Sequence, residues 1–300
     1  MNNQEAPLIS IVMPCYNSAN SLPRALASLI AQSYENWECI LVDDGSKDAP
    51  EKIVNRFADQ RIKLHKLDRN YGRGVARQRG LENCAGEYLC MLDADDWYYP
   101  TKLQQQLKIM TDNKDIGILS TDMAVTDSAG GLQGVQRFGN SVDALSIYDP
   151  MSIPNVLKIA HGPCMIRMEI AKQGKYNPDY RLAQDFDFLL PILLRHKYAN
   201  LNSATYVYSV FESISLYKLL QRLLRSRQII SKYRNSYSTL KILRNEFICL
   251  SKMPAYIGLY SLGLGRWAIK RRTAEATGPE RNIYISALNG INQYLETLGW

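Results

Sequence analysis

The stretch Glu87–Pro100, which reads EYLCMLDADDWYYP, decides the fold of this 300-residue chain. Mostly apolar residues run directly into Asp93, Asp95 and Asp96, and four bulky residues follow them. An apolar run of this length predicts a buried strand that ends at the carboxylates. Acidic clusters on loops are commonly solvated turns, so the position of this one against a strand end requires an explanation.

The chain before this stretch alternates predicted strands with predicted helices. Apolar, β-branched runs predict the strands, and amphipathic segments with Ser or Pro at their starts predict the helices. The predicted strands are 8–14, 37–46, 62–67 and 87–92, and the predicted helices begin after Ser21, at 49–58, at 75–84 and at Pro100. Alternation with such short links predicts a mostly parallel sheet with helices on both faces.

Two acidic groups follow the carboxyl ends of predicted strands. Asp43 and Asp44 end the second strand, and Asp93, Asp95 and Asp96 end the fourth. Since ligands of such sheets bind outside the carboxyl ends, we expect both groups at one crevice. Crowded carboxylates raise one another's pKa unless a cation offsets the repulsion, and oxygen ligands suit Mg²⁺ or Mn²⁺. The alternative is capping of the next helix by Asp95 or Asp96, and the motif alone leaves both interpretations open.

The chain after the acidic cluster is less regular. Residues 116–125 and 164–168 predict strands, and residues 186–195 predict a helix. Between them, the polar and glycine-rich stretch 127–141 has no apolar period. This composition predicts a mobile loop.

Charge divides the chain into two parts. Residues 1–215 hold 22 Lys and Arg against 25 Asp and Glu, whereas residues 216–300 hold 14 against 4. From Leu216 onward, leucines recur at helical spacing with basic residues between them. We therefore predict a folded domain at 1–215 and a basic helical C-terminal extension at 216–300.

Composition limits the class of protein. The chain is 46% hydrophobic and 22% charged, which provides enough apolar material for a core. Its first residues lack the pattern of a signal peptide, and its longest apolar run, Met253–Gly265, is shorter than the roughly 18 residues that span a membrane. Its six cysteines show no CxxC or metal-ligand spacing. We expect a reduced, cytoplasmic protein.

The sequence disfavours two other ligand classes. Residues 70–80, NYGRGVARQRG, contain Gly72 and Gly74, but Arg77 stands where a dinucleotide-binding motif has its third glycine. This difference argues against a nicotinamide-dependent dehydrogenase. The basic extension contains no aromatic–basic RNA motif and no helix-turn-helix pattern, so we expect no nucleic-acid partner.

Five segments together resemble the family 2 glycosyltransferases, which are GT-A enzymes that use nucleotide-diphosphate sugars. The segments are SIVMPCYN, VDDGS, NYGRGVARQRG, CMLDADDWYYPTKLQQQL and YNPDYRLAQDFDFLLPILLR. They span residues 8–215, about two thirds of the chain, and their order and spacing carry the resemblance. It implies a GT-A α/β fold and, as in most relatives, inversion at the anomeric carbon by direct displacement.

The resemblance implies a nucleotide site in the first three segments. Tyr16 and Asp44, with Asp43 nearby, would hold the base of the nucleotide, which on family grounds is UDP. Pro14 would shape the turn that brings the backbone to the base. Arg77, on the helix after the glycine loop, would help to hold the nucleotide.

The resemblance also implies residues at the reacting end of the donor. Asp95 would bind a divalent metal, Mn²⁺ or Mg²⁺, and Asp93 would contact the ribose, or the metal through water. Asp185 would be the general base that takes the proton of the acceptor hydroxyl. Without the resemblance, the spacing of Asp185 favours a first-turn aspartate that the helix dipole stabilises.

Three other residues keep a structural alternative. Arg77 is equally explained as an exposed helical arginine, and Tyr16 as a core residue. Trp97 either lines the acceptor pocket or packs in the interior.

Several positions depart from the family's pattern. Gln184 replaces the usual Glu before Asp185, and Gln78 replaces the usual Asn after the arginine of the third segment. Ser209 and Phe211 stand where many relatives have the Arg and the His of a Tyr-Arg-x-His element. Because Phe binds neither metal nor phosphate, the alternative function is a catalytically weak or inactive protein that binds nucleotide sugars or acts as a scaffold.

The C-terminal extension predicts a further partner. Residues 216–272 contain 13 Lys and Arg and a single acid, Glu246, interleaved with apolar residues. This pattern favours contact with an anionic membrane surface at the inner face of the plasma membrane, and its alternative is a helical cap with a solvated basic face. Together with the resemblance, it predicts transfer of a sugar to a glycan or lipid-linked acceptor in surface polysaccharide synthesis.

Overall fold

The computed structural model describes residues 6–127, 129–139, 144–152, 159–209, 215–264 and 273–300. Its centre is a ten-stranded mixed sheet. The strands are β1 (Ile9–Cys15), β2 (Trp37–Asp43), β3 (Ile62–Lys66), β4 (Tyr88–Met91), β5 (Trp97–Tyr98), β6 (Ile116–Thr126), β7 (Leu132–Gln136), β8 (Leu145–Tyr148), β9 (Met165–Arg167) and β10 (Lys197–Ser209). The helices are α1 (Leu22–Ile30), α2 (Pro50–Phe57), α3 (Arg73–Glu82), α4 (Lys102–Asp112), α5 (Met168–Ala171), α6 (Gln184–Leu193), α7 (Leu216–Ser231), α8 (Thr239–Ser261) and α9 (Gly278–Thr297).

The strand order places the ends of the early strands side by side. The order is β3-β2-β1-β4-β9-β6-β10-β5, with β7 paired to β6 and β8 paired to β10. The first four strands run parallel, and so do β6 and β10, whereas β9 runs antiparallel between β4 and β6. The carboxyl ends of β1, β2 and β4 therefore lie at one edge of the sheet.

Side chains of β1 alternate between two hydrophobic cores. Ile9, Ile11 and Met13 belong to the core that α1, α2 and α4 cover, and Val12 belongs to the core that α3 and α6 cover. Because helices cover both faces, all seven residues of β1 are buried, and the strand shows no polar alternation. The predicted α/β fold with helices on both faces is confirmed.

One predicted strand end differs from the structure. The first predicted strand ends at Pro14, but Pro14 lies within β1 opposite Val42, and the strand continues to Cys15. The position is one residue from the strand end, where a single missing N–H interrupts little of the ladder.

The glycine-rich stretch that predicted a mobile loop contains a strand. β7 pairs antiparallel with β6, and Gly134 lies opposite Val125. The Asp127 carboxylate closes the turn between them, because it accepts hydrogen bonds from the amides of Ala129 and Gly131. The loop prediction was wrong here because backbone ladder bonds need no apolar side-chain pattern.

The helices after residue 215 pack in two different hydrophobic cores. Ile229 and Ile230 of α7 and Ile242 of α8 form a third core with Phe186 and Leu190 of α6. In contrast, α9 contributes to the first core and contacts α1. The boundary between residues 215 and 216 stays a prediction. Among the described residues, no helix combines the length and the apolar character needed to cross a membrane.

The packing of α9 leads to a stability prediction. Ile291 on α9 is fully buried in the first core, so Ile291→Ala should lower the free energy of unfolding by about 2–5 kcal/mol through lost burial and a cavity. The matched control is Ile283→Ala on the same helix, where the side chain is 56% exposed and the change should stay within about 0.5 kcal/mol. Urea unfolding of the full chain measures both. Equal effects of the two substitutions would contradict the assignment of α9 to the core.

Candidate active site

The two acidic groups of the sequence lie at neighbouring strand ends. β1 lies between β2 and β4 and pairs in parallel with both. The Asp44 amide donates to the Cys15 carbonyl at 2.8 Å, and the Leu92 amide donates to the Val12 carbonyl at 3.0 Å, so the chain leaves both strands beside the end of β1. Two strand spacings amount to about 10 Å, which brings both groups to the same edge.

Asp43 and Asp44 hold the backbone around this edge. Asp43 Oδ1 accepts from the Ser46 amide, and its Oδ2 is buried without a hydrogen-bond partner among the described residues. The Asp44 carboxylate accepts from the amides of Tyr71 and Gly72, both at 2.8 Å. Burial and, less strongly, Asp43 raise the pKa of Asp44, although the two amides oppose this shift. Asp44 therefore fixes the loop before α3.

Gly74, in the first turn of α3, permits a close approach of backbone segments. A Cβ atom at Gly74 would lie 3.1 Å from the Asn177 carbonyl oxygen. With its amide oriented to satisfy both ends, Gln184 accepts from the Gly74 amide and donates to the Arg181 carbonyl, each at 3.2 Å. Gln184, which replaces the family's Glu, thus connects the glycine loop to the helix that carries Asp185.

Tyr16 and Pro14 differ in their surroundings. Tyr16 follows β1 and is 45% exposed, which rules out the alternative of a core residue and leaves its ring accessible at the strand end. Pro14 lies one residue before the end of β1, paired with β2. Both residues are therefore near the edge where Asp43 and Asp44 lie.

Arg77 and Asp93 form an ion pair beneath the crevice. Arg77 Nη2 donates to Asp93 Oδ1 at 2.7 Å, and Arg73 Nη1 lies 3.6 Å from Asp93 Oδ2. Only 5% of Arg77 is exposed, so the alternative of an exposed helical arginine is wrong. Burial by itself would raise the pKa of Asp93, but Arg77 and Arg73 hold it well below its usual value. Asp93 is therefore an anion whose charge is balanced by two arginines.

Asp96 is tied to a distant strand. Its carboxylate accepts from the Tyr206 hydroxyl at 2.5 Å and from the Ser209 amide at 2.8 Å, both on β10. Burial, followed by Asp95 and Asp93, raises the pKa of Asp96 well above its usual value. Asp96 does not cap the next helix, because both of its side-chain oxygens accept hydrogen bonds from β10. The N-cap of α4 is Thr101, which makes no side-chain capping bond.

Asp95 has the properties of a metal ligand. Carboxylate oxygens of Asp93, Asp95 and Asp96 lie within 4.8 Å of one another. Burial and the charge of Asp93 raise the pKa of Asp95. Among the described residues, no other side chain donates a hydrogen bond to its carboxylate. A divalent cation would offset this repulsion, and carboxylate oxygens suit Mg²⁺ or Mn²⁺, so these residues fit such an ion.

A cavity of about 350 Å³ adjoins Asp95. Its lining also includes Arg24 of α1, Asp127, Ser209 and Trp300. The cavity gives Asp95 access to space on the α1 side of the crevice. Trp97, in contrast, is buried against Tyr99 and Tyr284 with ring centroids 5.6 Å apart in each pair. This packing decides between the two interpretations of Trp97 in favour of the interior.

Asp185 lies in the first turn of α6. This position agrees both with a general base and with an aspartate that the helix dipole stabilises. Asp185 Oδ2 accepts from Arg222 Nη2 at 3.0 Å. Burial would raise its pKa, but the charges of Arg222 and Arg77 lower it. Asp185 is therefore ionised at neutral pH, which is the state a general base needs.

The structure brings residues to the site that sequence reasoning missed. His161 is buried, and its Nε2 lies 2.7 Å from the Tyr176 hydroxyl oxygen. Burial, followed by Arg77, lowers its pKa to about 3, so that the imidazole is neutral. A lone histidine without a partner motif gives no signal in the sequence. Arg222 was hidden among the many basic residues of the extension, and Phe211 lies outside the described residues.

Comparison with known proteins identifies the family. The family model of glycosyl transferase family 2 matches residues 10–174, more than half of the chain. An uncharacterized glycosyltransferase of Rickettsia typhi is 32% identical over 198 residues, which cover 64% of this chain and 60% of that protein. A putative teichuronic acid biosynthesis glycosyltransferase of Bacillus subtilis is 38% identical over 106 residues, which cover 35% of this chain and 42% of that protein. The chain thus spans less than two thirds of the length of these relatives.

Solved structures agree on the fold. The mannosyltransferase PcManGT of Pyrobaculum calidifontis, in complex with GDP-Man and Mn²⁺, has a TM-score of 0.58 at 17% identity, over 99% of this chain and 85% of that chain. TarS of S. aureus, residues 1–349 with UDP, has a TM-score of 0.57 at 19% identity, over 77% of this chain and 72% of that chain. The chain belongs to glycosyl transferase family 2 and has the GT-A fold that its five segments predicted.

Proposed function

We propose that this glycosyltransferase transfers a sugar from a nucleotide-diphosphate sugar to an acceptor hydroxyl with inversion at the anomeric carbon. One observation carries the proposal: the Arg77 guanidinium is paired with Asp93 at 2.7 Å, and the charges of both Asp93 and Asp185 raise the pKa of this guanidinium. The acidic cluster and the proposed base therefore belong to a single site. A base on one side and a donor site on the other is the arrangement that direct displacement needs.

The proposed donor is a UDP-sugar. The exposed ring of Tyr16 at the end of β1 offers a surface on which a base can stack, and the anchored loop at Asp44 borders it. The neighbouring structures support a nucleotide sugar in general, because their complexes contain UDP in TarS and GDP-Man in PcManGT. Asp93, which Arg77 binds, lies within 4.8 Å of the Asp95 carboxylate, where a diphosphate would reach.

In the proposed reaction, ionised Asp185 accepts the proton of the acceptor hydroxyl while its oxygen attacks the anomeric carbon. The bond between that carbon and the diphosphate oxygen breaks on the opposite side, and the nucleoside diphosphate leaves. A divalent cation at Asp95 would neutralise the charge that develops on the leaving phosphate. Arg77 and Arg73 keep Asp93 ionised beside it, and neutral His161 adds no charge of its own.

We also propose that the C-terminal extension contacts an anionic membrane surface where a lipid-linked acceptor would lie. Leu240, Leu243 and Phe247 recur at helical spacing on α8 and are all exposed. Lys241 and Arg244, also exposed, lie between them and form no ion pair with a described residue. An apolar stripe flanked by free cations suits an interface rich in anionic lipid. Similarity to a putative teichuronic acid glycosyltransferase supports a surface polysaccharide as the product.

The site assignment predicts that two substitutions act differently. Asp95→Ala should abolish the Mn²⁺-dependent thermal shift that a UDP-sugar produces, because it removes the proposed metal ligand. Asp185→Asn should keep that shift and lower the transfer rate by about 10²–10⁴-fold, because the base is lost. Asp179→Asn, an exposed aspartate six residues earlier, is the control and should match the wild type in both assays.

Two results would contradict the assignment. Full turnover of Asp185→Asn would show that another group takes the proton. Calorimetry that detects donor binding to the wild type without turnover, across a panel of donors and acceptors, would favour the inactive nucleotide-sugar-binding protein instead.

The membrane proposal predicts a loss of vesicle binding. Phe247 is 69% exposed, and Phe247→Glu should weaken flotation with phosphatidylglycerol-containing vesicles by about tenfold, because an apolar contact is replaced by a repelled charge. Ile283→Glu on α9 is the matched control, with a comparable exposure outside the stripe. Binding of the wild type should also weaken as salt is raised.

The membrane proposal fails if the chain floats equally well with vesicles of pure phosphatidylcholine. It fails as well if Phe247→Glu floats no less than the control Ile283→Glu.

A further inference from the structure

We propose that Arg222 of α7 is a positioning residue that holds Asp185 ionised and directed into the crevice. This inference rests on the proposed function, in which Asp185 is the base. Arg222 Nη2 donates to Asp185 Oδ2 at 3.0 Å. The basic extension would therefore serve the reaction directly, in addition to any contact with a membrane.

The packing of α7 on α6 fixes this contact. Ser215 caps α7 by accepting from the Lys218 amide, and Ile229 and Ile230 bury the far end of the helix against α6. Near that end, Lys232 Nζ lies 2.8 Å from Asp187 Oδ1. Two ion pairs and an apolar contact thus join the same two helices. These contacts fix the register of α7 along α6, and this register brings Arg222 to Asp185.

The charge of Arg222 also affects Tyr208. The hydroxyl of Tyr208, at the end of β10, has its pKa raised to about 12 by burial and by the three acids of the cluster, and Arg222 opposes that shift. Arg222 therefore lies close enough to act on a group beside the acidic cluster. This position is consistent with a role inside the site.

Four groups interact electrostatically with Asp185: Arg222 on α7, Arg77 on α3, His161 before β9 and Tyr176 before α6. His161 is neutral, and the Tyr176 hydroxyl contacts it at 2.7 Å. Arg77 is already paired with Asp93. Among these groups, Arg222 is the cation in direct contact with the carboxylate. A carboxylate has a second oxygen, so Oδ1 can accept a proton while Arg222 holds Oδ2.

The test is a pair of pH titrations on the full chain. Arg222→Met should raise the pKa of the Asp185 carboxyl, measured by the ¹³C signal of labelled aspartate and assigned by its loss in Asp185→Asn. A base works when ionised, so the acid limb of the transfer rate should move to higher pH, with a loss of about two- to fivefold within that limb. At high pH the rates of variant and wild type should converge.

Two matched variants distinguish the direct contact between Arg222 and Asp185 from a general effect of positive charge on α7. Lys218→Met removes one positive charge one helical turn earlier on the same face of α7, and it should leave both titrations unchanged. Arg222→Lys keeps the charge and should restore most of the wild-type behaviour.

An unchanged pKa of Asp185 in Arg222→Met would overturn the inference. A raised pKa with an unmoved acid limb would show that Asp185 is not the base, which would contradict the proposed function while Arg222 would still control the ionisation of Asp185. The NMR titration needs neither donor nor acceptor. A wild type without any transfer activity would therefore contradict the proposed function, while the titration would still decide whether Arg222 controls the ionisation of Asp185.

Discussion

The site depends on the buried ion pair between Arg77 and Asp93. Taking either charge out of water alone would cost several kcal/mol, so each requires the other. Their contact at 2.7 Å connects α3, on one face of the sheet, to the segment that leaves β4. Arg73 adds a second positive charge at 3.6 Å from the same carboxylate. Because two arginines balance the charge of Asp93, Asp95 and Asp96 experience less repulsion than they would beside an unpaired carboxylate.

The three carboxylates of the cluster differ because their partners differ. Asp93 is bound by arginines of α3, and Asp96 is bound by Tyr206 and Ser209 of β10. Asp95 lacks such a partner among the described residues, and it lines a cavity. Each oxygen that protein groups occupy is less available to an ion, so the division of partners itself directs a cation towards Asp95.

The helices after residue 215 belong to the environment of the site. Through α7, Arg222 reaches the carboxylate of Asp185, and through α9, Tyr284 contacts the buried Trp97 behind the acidic cluster. Both contacts join residues that lie far apart in the chain. The extension that the charge distribution predicts therefore contacts both the proposed base and the core behind the acidic cluster.

Much of this arrangement was predictable from the sequence because it depends on local pattern. Apolar runs separated by amphipathic segments predict β1 to β4 and α1 to α4, and the parallel sheet then brings Asp43 and Asp93 to one edge. The order of the five segments predicts the family. Only the tertiary structure decided that Asp96 binds β10, that Trp97 is packing, that β7 replaces a loop, and that His161 and Arg222 surround Asp185. These outcomes depend on contacts between residues far apart in the chain, and on burial that changes the charge of each group, which no local pattern records.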